Sequence, residues 1–171
     1  MSMIRLTLWG CLLILIMHGC AENDDTRLTG PIIPAFSLIY GSDCPPNAPW
    51  CRGGNEGEKE WTRNIISTYL NAEADPDCAN ARQYLLDALD NGKFFVFGDH
   101  KNPSTGKWVR GFWNTDDEWG LAEGYFNANS SDPYWGSYRM GWTSAHEGGH
   151  HHYWGGAEEQ ANEFADMCID Y

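Results

Sequence analysis

The spacing of apolar and polar residues divides the chain into segments of distinct character. Trp61, Ile65 and Tyr69, with Ile66 and Leu70 alongside, recur at helical intervals and predict a helix from about Glu58 to Ala72. Asp75-Pro76 then reads as an N-cap followed by proline at the first helical position. Tyr84, Leu85, Ala88 and Leu89 carry that second helix to Asn91-Gly92, a C-terminal glycine signal. From Lys93 the pattern changes. Phe94-Phe95-Val96-Phe97 and the run from Lys107 to Trp113 read as strands separated by the turn-rich stretch from Asn102 to Gly106. Leu121 to Phe126 and Tyr134 to Trp142 are expected as two further strands. Thr143 and Ser144, both good N-cap types, introduce a helix to about Trp154; Gly155-Gly156 breaks it, and Ala157 to about Ile169 forms the last helix. The order helix, helix, sheet, helix, helix predicts an α+β domain, a small antiparallel or mixed sheet with helices packed on one face.

The first residues do not belong to this pattern. Arg5 supplies a positive charge, Leu12-Leu13-Ile14-Leu15-Ile16-Met17 a short apolar core, and a polar run begins at Ala21-Glu22-Asn23. That core is far below the roughly 18–20 residues that cross a bilayer, so residues 1–19 are expected to be an export signal. Gly19-Cys20 resembles the end of the lipobox of bacterial lipoproteins, which implies that Cys20 carries a lipid. Residues 20–40 then read as a lipidated N-terminus and tether, and residues 41–171 as the folded domain. The expected location is the cell envelope, held to the membrane through the lipid.

Setting aside Cys11 and Cys20 leaves Cys44, Cys51, Cys78 and Cys168. Four cysteines permit three pairings. Cys44–Cys51 would close the Pro-rich loop within residues 41–57, and Cys78–Cys168 would tie an early helix to the last one, as suits an oxidising compartment. The formal net charge of −13 argues against nucleic acid as a partner, because phosphate binding needs a basic face. It is compatible with a cationic peptide substrate. Nine tryptophans supply core volume, with a few available to line a sugar- or peptide-binding cleft.

The chemistry concentrates at residues 146–150, which read HEGGH. Residues four apart share one helix face, so His146 and His150 can direct both imidazoles at one metal ion. Glu147 lies about 100° around the helix, placed to act as general base on a metal-activated water whose pKa zinc lowers toward about 7. His151 and His152 fall on other faces and are expected to face solvent or to support the ligands from behind, not to bind the metal. The two glycines cost roughly 1 kcal/mol each within a helix, and close approach of that helix to the sheet is the simplest reason for them. A catalytic zinc takes three protein ligands and a water. Of Glu158, Glu159 and Glu163, only Glu158 borders the apolar face formed by Ala157, Ala161, Phe164, Ala165 and Cys168, which makes it the expected third ligand. Asn162, one turn on, could hydrogen-bond that ligand. Tyr153 is a candidate oxyanion donor, with Tyr134 and Tyr138 equal alternatives.

These residues resemble the zincin metallopeptidases: HEGGH matches their HExxH signature, and a downstream Glu ligand is the gluzincin variant. The segment from Glu158 to Ala165 is similar to the E-x-x-A-N-x-F-A helix of the ImmA/IrrE-type peptidases, although the spacer from His150 to Glu158 is short. The resemblance covers about the last quarter of the chain. It implies a zincin-like fold with the HExxH helix near the C-terminus, a Zn2+ cofactor and hydrolysis of a peptide or protein substrate. The alternative expectation is a non-catalytic zinc-binding or disulfide-stapled envelope lipoprotein that binds a partner or polymer.

Overall fold

Local signals set the first two helices. Helix α1 (Glu56–Tyr69) starts from a reciprocal cap: Asn55 Oδ1 accepts from the Glu58 amide at 3.0 Å, and the Asn55 amide donates to Glu58 at 2.8 Å. Helix α2 (Pro76–Asp90) starts at Asp75, whose carboxylate accepts from the Asp77 amide at 2.8 Å. It ends at Gly92, with φ of 73°, and the Lys93 amide donates back to Ala88 at 2.9 Å. The structure, a computed structural model, describes residues 19–22 and 44–169. The expected signal core and most of the expected tether lie outside the described residues.

The described strands are β1 (Gly19–Glu22), β2 (Cys51–Gly53), β3 (Phe94–Phe97), β4 (His100–Lys101), β5 (Trp108–Trp113) and β6 (Trp119–Ala122). They form one sheet in the order β1-β5-β6-β3-β2, with β4 pairing the first residues of β5. The β3–β6 pair is parallel and the other described pairs are antiparallel, so the sheet is mixed and the domain is α+β. Cys20, the expected lipid site, lies in β1, and Ala21 and Glu22 pair with Val109 and Trp108 of β5 where the tether was expected to begin.

Three helices complete the domain: α3 (Gly124–Asn127), α4 (Ser137–His152) and α5 (Glu158–Cys168). Helix α4 is the hub, packing against α1, α2, α5 and the strands β5 and β6. Two expectations are corrected here. The strand expected to run to Phe126 ends at Ala122 and turns into α3. The strand expected over Tyr134 to Trp142 does not form; α4 begins at Ser137 instead, six residues before Thr143. The hydroxyls read as caps are satisfied inside the helix: Ser144 Oγ donates to the Met140 carbonyl at 2.9 Å, and Thr143 Oγ1 lies 2.6 Å from the Tyr125 hydroxyl. Tertiary burial of Met140, Ser144 and Ala145 outweighs the local cap preference.

Gly148 and Gly149 also serve a different neighbour than expected. A Cβ at Gly148 would stand 3.1 Å from Ala81 in α2, and one at Gly149 3.1 Å from the Phe164 Cβ and 3.2 Å from the Ala161 Cα in α5. The glycine pair therefore admits two helices, not the sheet. At its C-terminus α4 closes as α2 does, with Gly155 donating to the His150 carbonyl at 2.8 Å and Trp154 to His151 at 3.1 Å. The left-handed position that α2 fills with glycine is here Trp154, with φ of 51°. For a residue with a Cβ this conformation costs about 1–2 kcal/mol.

Both expected disulfides are formed, Cys44–Cys51 and Cys78–Cys168, the second joining α2 to α5 across 90 residues of sequence. Replacing Cys78 and Cys168 together by alanine should lower stability by about 2–5 kcal/mol. Denaturant unfolding under non-reducing conditions measures this, and an unchanged midpoint would contradict it.

Candidate metal centre

Helix α4 carries His146 and His150 on one face, one turn apart, with ring centroids separated by 4.7 Å. Both are almost fully buried, at 1% exposure. The turn after α4 reverses the chain so that Glu158, the first residue of α5, meets them. Its Oε2 lies 3.3 Å from His146 Nε2 and its Oε1 lies 3.6 Å from His150 Nε2. One ligand atom from each of the three residues falls within 4.8 Å of the others, so this cluster could hold a metal ion. The chemistry of the donors fits one. His146 Nε2 faces the Glu158 carboxylate, and its buried Nδ1 has no hydrogen-bond partner among the described residues, a donor set that a Lewis acid would engage.

Packing around the cluster fixes the rings. Trp142, one turn earlier, lies over His146 with centroids 5.3 Å apart and planes 29° from parallel. Its indole nitrogen donates to Asp166 Oδ1 at 2.8 Å, a second tie between α4 and α5. Burial opposes ionisation of Glu158, but the hydrogen bonds and charges of His146 and His150 outweigh it and hold the carboxyl down at about 2. Burial likewise disfavours protonated His150. The Glu158 hydrogen bond and the charges of Glu147 and Glu158 exceed that effect and raise its pKa.

Glu147 is fully buried and faces β5. A Cβ on Gly111 would overlap its carboxylate and come within 2.9 Å of the Thr143 methyl. Gly111 is thus the gap in the sheet that receives Glu147, whose charge contributes to raising the pKa of His150. This is the close approach of α4 to the sheet that the HEGGH glycines were expected to provide. Sequence reasoning passed over Gly111, although a glycine inside the apolar run Trp108-Val109-Arg110-Gly111-Phe112-Trp113 is itself a signal of close backbone approach.

The remaining expected residues separate from the cluster. His151 stacks on Tyr84 with centroids 3.5 Å apart and stands 3.5 Å from Asp117; burial lowers its pKa. His152 lies 3.6 Å from Asp77. Glu159 and Glu163 are exposed. Asn162, expected to support the third ligand, is exposed as well, because α5 turns that edge to solvent. Tyr153 is 42% exposed and packs edge-on against Phe164, Tyr138 packs edge-on against Tyr69, and the Tyr134 carbonyl accepts from Arg110 at 2.5 Å. None of these contacts involves a cluster residue.

No protein-family model, curated protein or solved structure matches the chain.

Two outcomes follow from this geometry. Gly111→Ala should push Glu147 aside and destabilise the fold by about 1–3 kcal/mol, while the metal content stays that of the unmodified protein. Loss of metal in that variant would place Gly111 in support of the ligands instead. In chelator-treated protein, the Glu158 carboxyl titrates at about 2 against an ordinary 4.5, so its contacts stabilise the fold above pH 4.5 and are lost as pH falls through about 2. Urea unfolding across that window should show a shallower acid limb in Glu158→Gln; identical limbs would be inconsistent with the contact.

Proposed function

We propose that the chain is an exported zinc-dependent hydrolase of zincin type that cleaves peptide or amide bonds. The observation that carries this reading is the convergence of His146, His150 and Glu158, with the Glu147 carboxylate on the adjacent helix face. Two imidazoles and one carboxylate are a donor set suited to zinc, and three protein ligands leave a coordination position for substrate or water. Zinc held there supplies a Lewis acid and brings the pKa of a water toward about 7. Glu147 takes the proton of the attacking water and returns it to the leaving amine. Burial against Gly111 keeps that carboxylate in one orientation and away from competing solvent. Trp142 stacks over His146 and supports the orientation of that ring. The two disulfides suit an oxidising compartment, and the lipobox-like Gly19-Cys20 suits a lipid anchor at the membrane.

The full burial of Glu147 also favours a second reading, in which the zinc site is structural and the domain binds a partner without turnover. One variant separates the two. Glu147→Gln should keep its zinc, measured by atomic absorption, and lose hydrolysis of a mixed peptide library by about 10²–10⁴-fold. Hydrolysis retained in Glu147→Gln would remove Glu147 from the mechanism. His146→Ala should lose most of the zinc, and an unchanged metal content there would refute the ligand set.

A further inference from the structure

We infer that one end of the domain, where the start of β1 and the turn bearing Trp154 come together, docks on the lipid bilayer and holds the metal centre over its surface. The docking rests on the lipid anchor proposed for Cys20, and its consequence for substrate rests on the hydrolase reading.

Strand β1 runs antiparallel to β5, with Glu22 opposite Trp108 and Gly19 opposite Phe112. It therefore brings Cys20 to the end of β5 that carries Phe112 and Trp113, and Ala21 is already paired in the sheet. The apolar run from Leu12 to Met17 precedes this same end in sequence. A lipid on Cys20 has to enter the bilayer within the reach of one residue, so this end of the sheet lies at the membrane surface.

A second observation marks the same end. The Trp154 ring meets the Trp113 ring edge-on at 5.8 Å, and Trp113 directly follows the partner of Gly19. Trp154 is 65% exposed, the most exposed of the large apolar residues described, and its left-handed backbone, with φ of 51°, is one that tryptophan does not favour. Neither burial nor backbone preference accounts for it. A membrane interface does, because an indole has an apolar body and a polar N–H and settles at headgroup level. Tyr153, 42% exposed and amphipathic in the same way, precedes it in the same turn.

Charge selects the bilayer. The β5–β6 turn at this end carries Asp116, Asp117 and Glu118; Lys93 donates to the Asp116 carbonyl at 2.9 Å, and His151 stands 3.5 Å from Asp117. The three carboxylates outweigh the one ammonium, and the formal net charge of −13 has the same sign. Such a surface suits zwitterionic headgroups and is repelled by anionic ones. Trp154 is four residues from His150 and four from Glu158, a reach of at most about 14 Å. The substrates this placement favours are peptide segments lying close to the bilayer.

The test uses the full lipidated protein in phosphatidylcholine vesicles with or without brominated acyl chains. Emission of Trp154, taken as the difference between the unmodified protein and Trp154→Phe, should lose about half its intensity in brominated vesicles. The same difference for Trp108, at the other end of β5, should not change. Replacing half of the lipid by phosphatidylglycerol should weaken the Trp154 loss at low salt. Unchanged Trp154 emission, equal loss at Trp108, or a Trp154 loss that phosphatidylglycerol does not weaken overturns the docking. Mass spectrometry of Cys20 tests the anchor separately: an unlipidated residue fails the anchor reading, whereas a lipidated one with unchanged Trp154 emission fails the docking alone. Peptides joined to a phospholipid by a spacer of about four residues, spanning about 14 Å, should be cleaved as fast as those on long spacers. Cleavage on long spacers only overturns the placement of the centre; docking with no cleavage on either sinks the hydrolase reading and leaves the docked end standing.

Discussion

Helix α4 must be buried along nearly its whole length while carrying two imidazoles and a carboxylate, and the rest of the structure answers to that constraint. From Thr143 to His150 every residue is buried. Burying polar side chains without partners costs several kcal/mol each, so such a helix survives only where its neighbours supply the partners. Thr143 meets Tyr125, Ser144 bonds its own helix, and the histidines meet Glu158. Small residues let those neighbours close in: Gly148 faces α2, Gly149 faces α5, and Gly111 opens the sheet to Glu147.

The consequence is a division of labour around the helix. One face, with Trp142, His146 and His150, meets α5 and its carboxylate. The next, with Thr143 and Glu147, lies on β5. Packing thus separates a group able to ligate metal from a group able to accept a proton, although the two are adjacent in sequence. The Cys78–Cys168 bridge and the Trp142–Asp166 hydrogen bond hold α5 to the rest of the domain, so the helix that brings Glu158 is anchored at points far from its first residue.

Local physics made a good part of this legible in the residues alone. The cap Asp75, the stop at Gly92 and the runs that became β3 and β5 act within a few residues of chain. The i, i+4 spacing of His146 and His150 is a property of any α-helix. The borderline place of Glu158 on an amphipathic helix singled it out among three glutamates, and cysteine spacing gave the disulfide partners.

What the tertiary structure decided are the features whose causes lie elsewhere in the chain. The start of α4 moved to Ser137 because distant burial overrode the cap preference of Thr143 and Ser144. The purpose of Gly148 and Gly149 depended on which helices lie behind them, and the orientation of Glu147 depended on a glycine 36 positions upstream in another strand. The left-handed backbone at Trp154 belongs to the turn that reverses the chain so that Glu158 of α5 meets the histidines of α4. Each of these is a contact between segments remote in sequence, and periodicity within one segment carries no information about its distant partner.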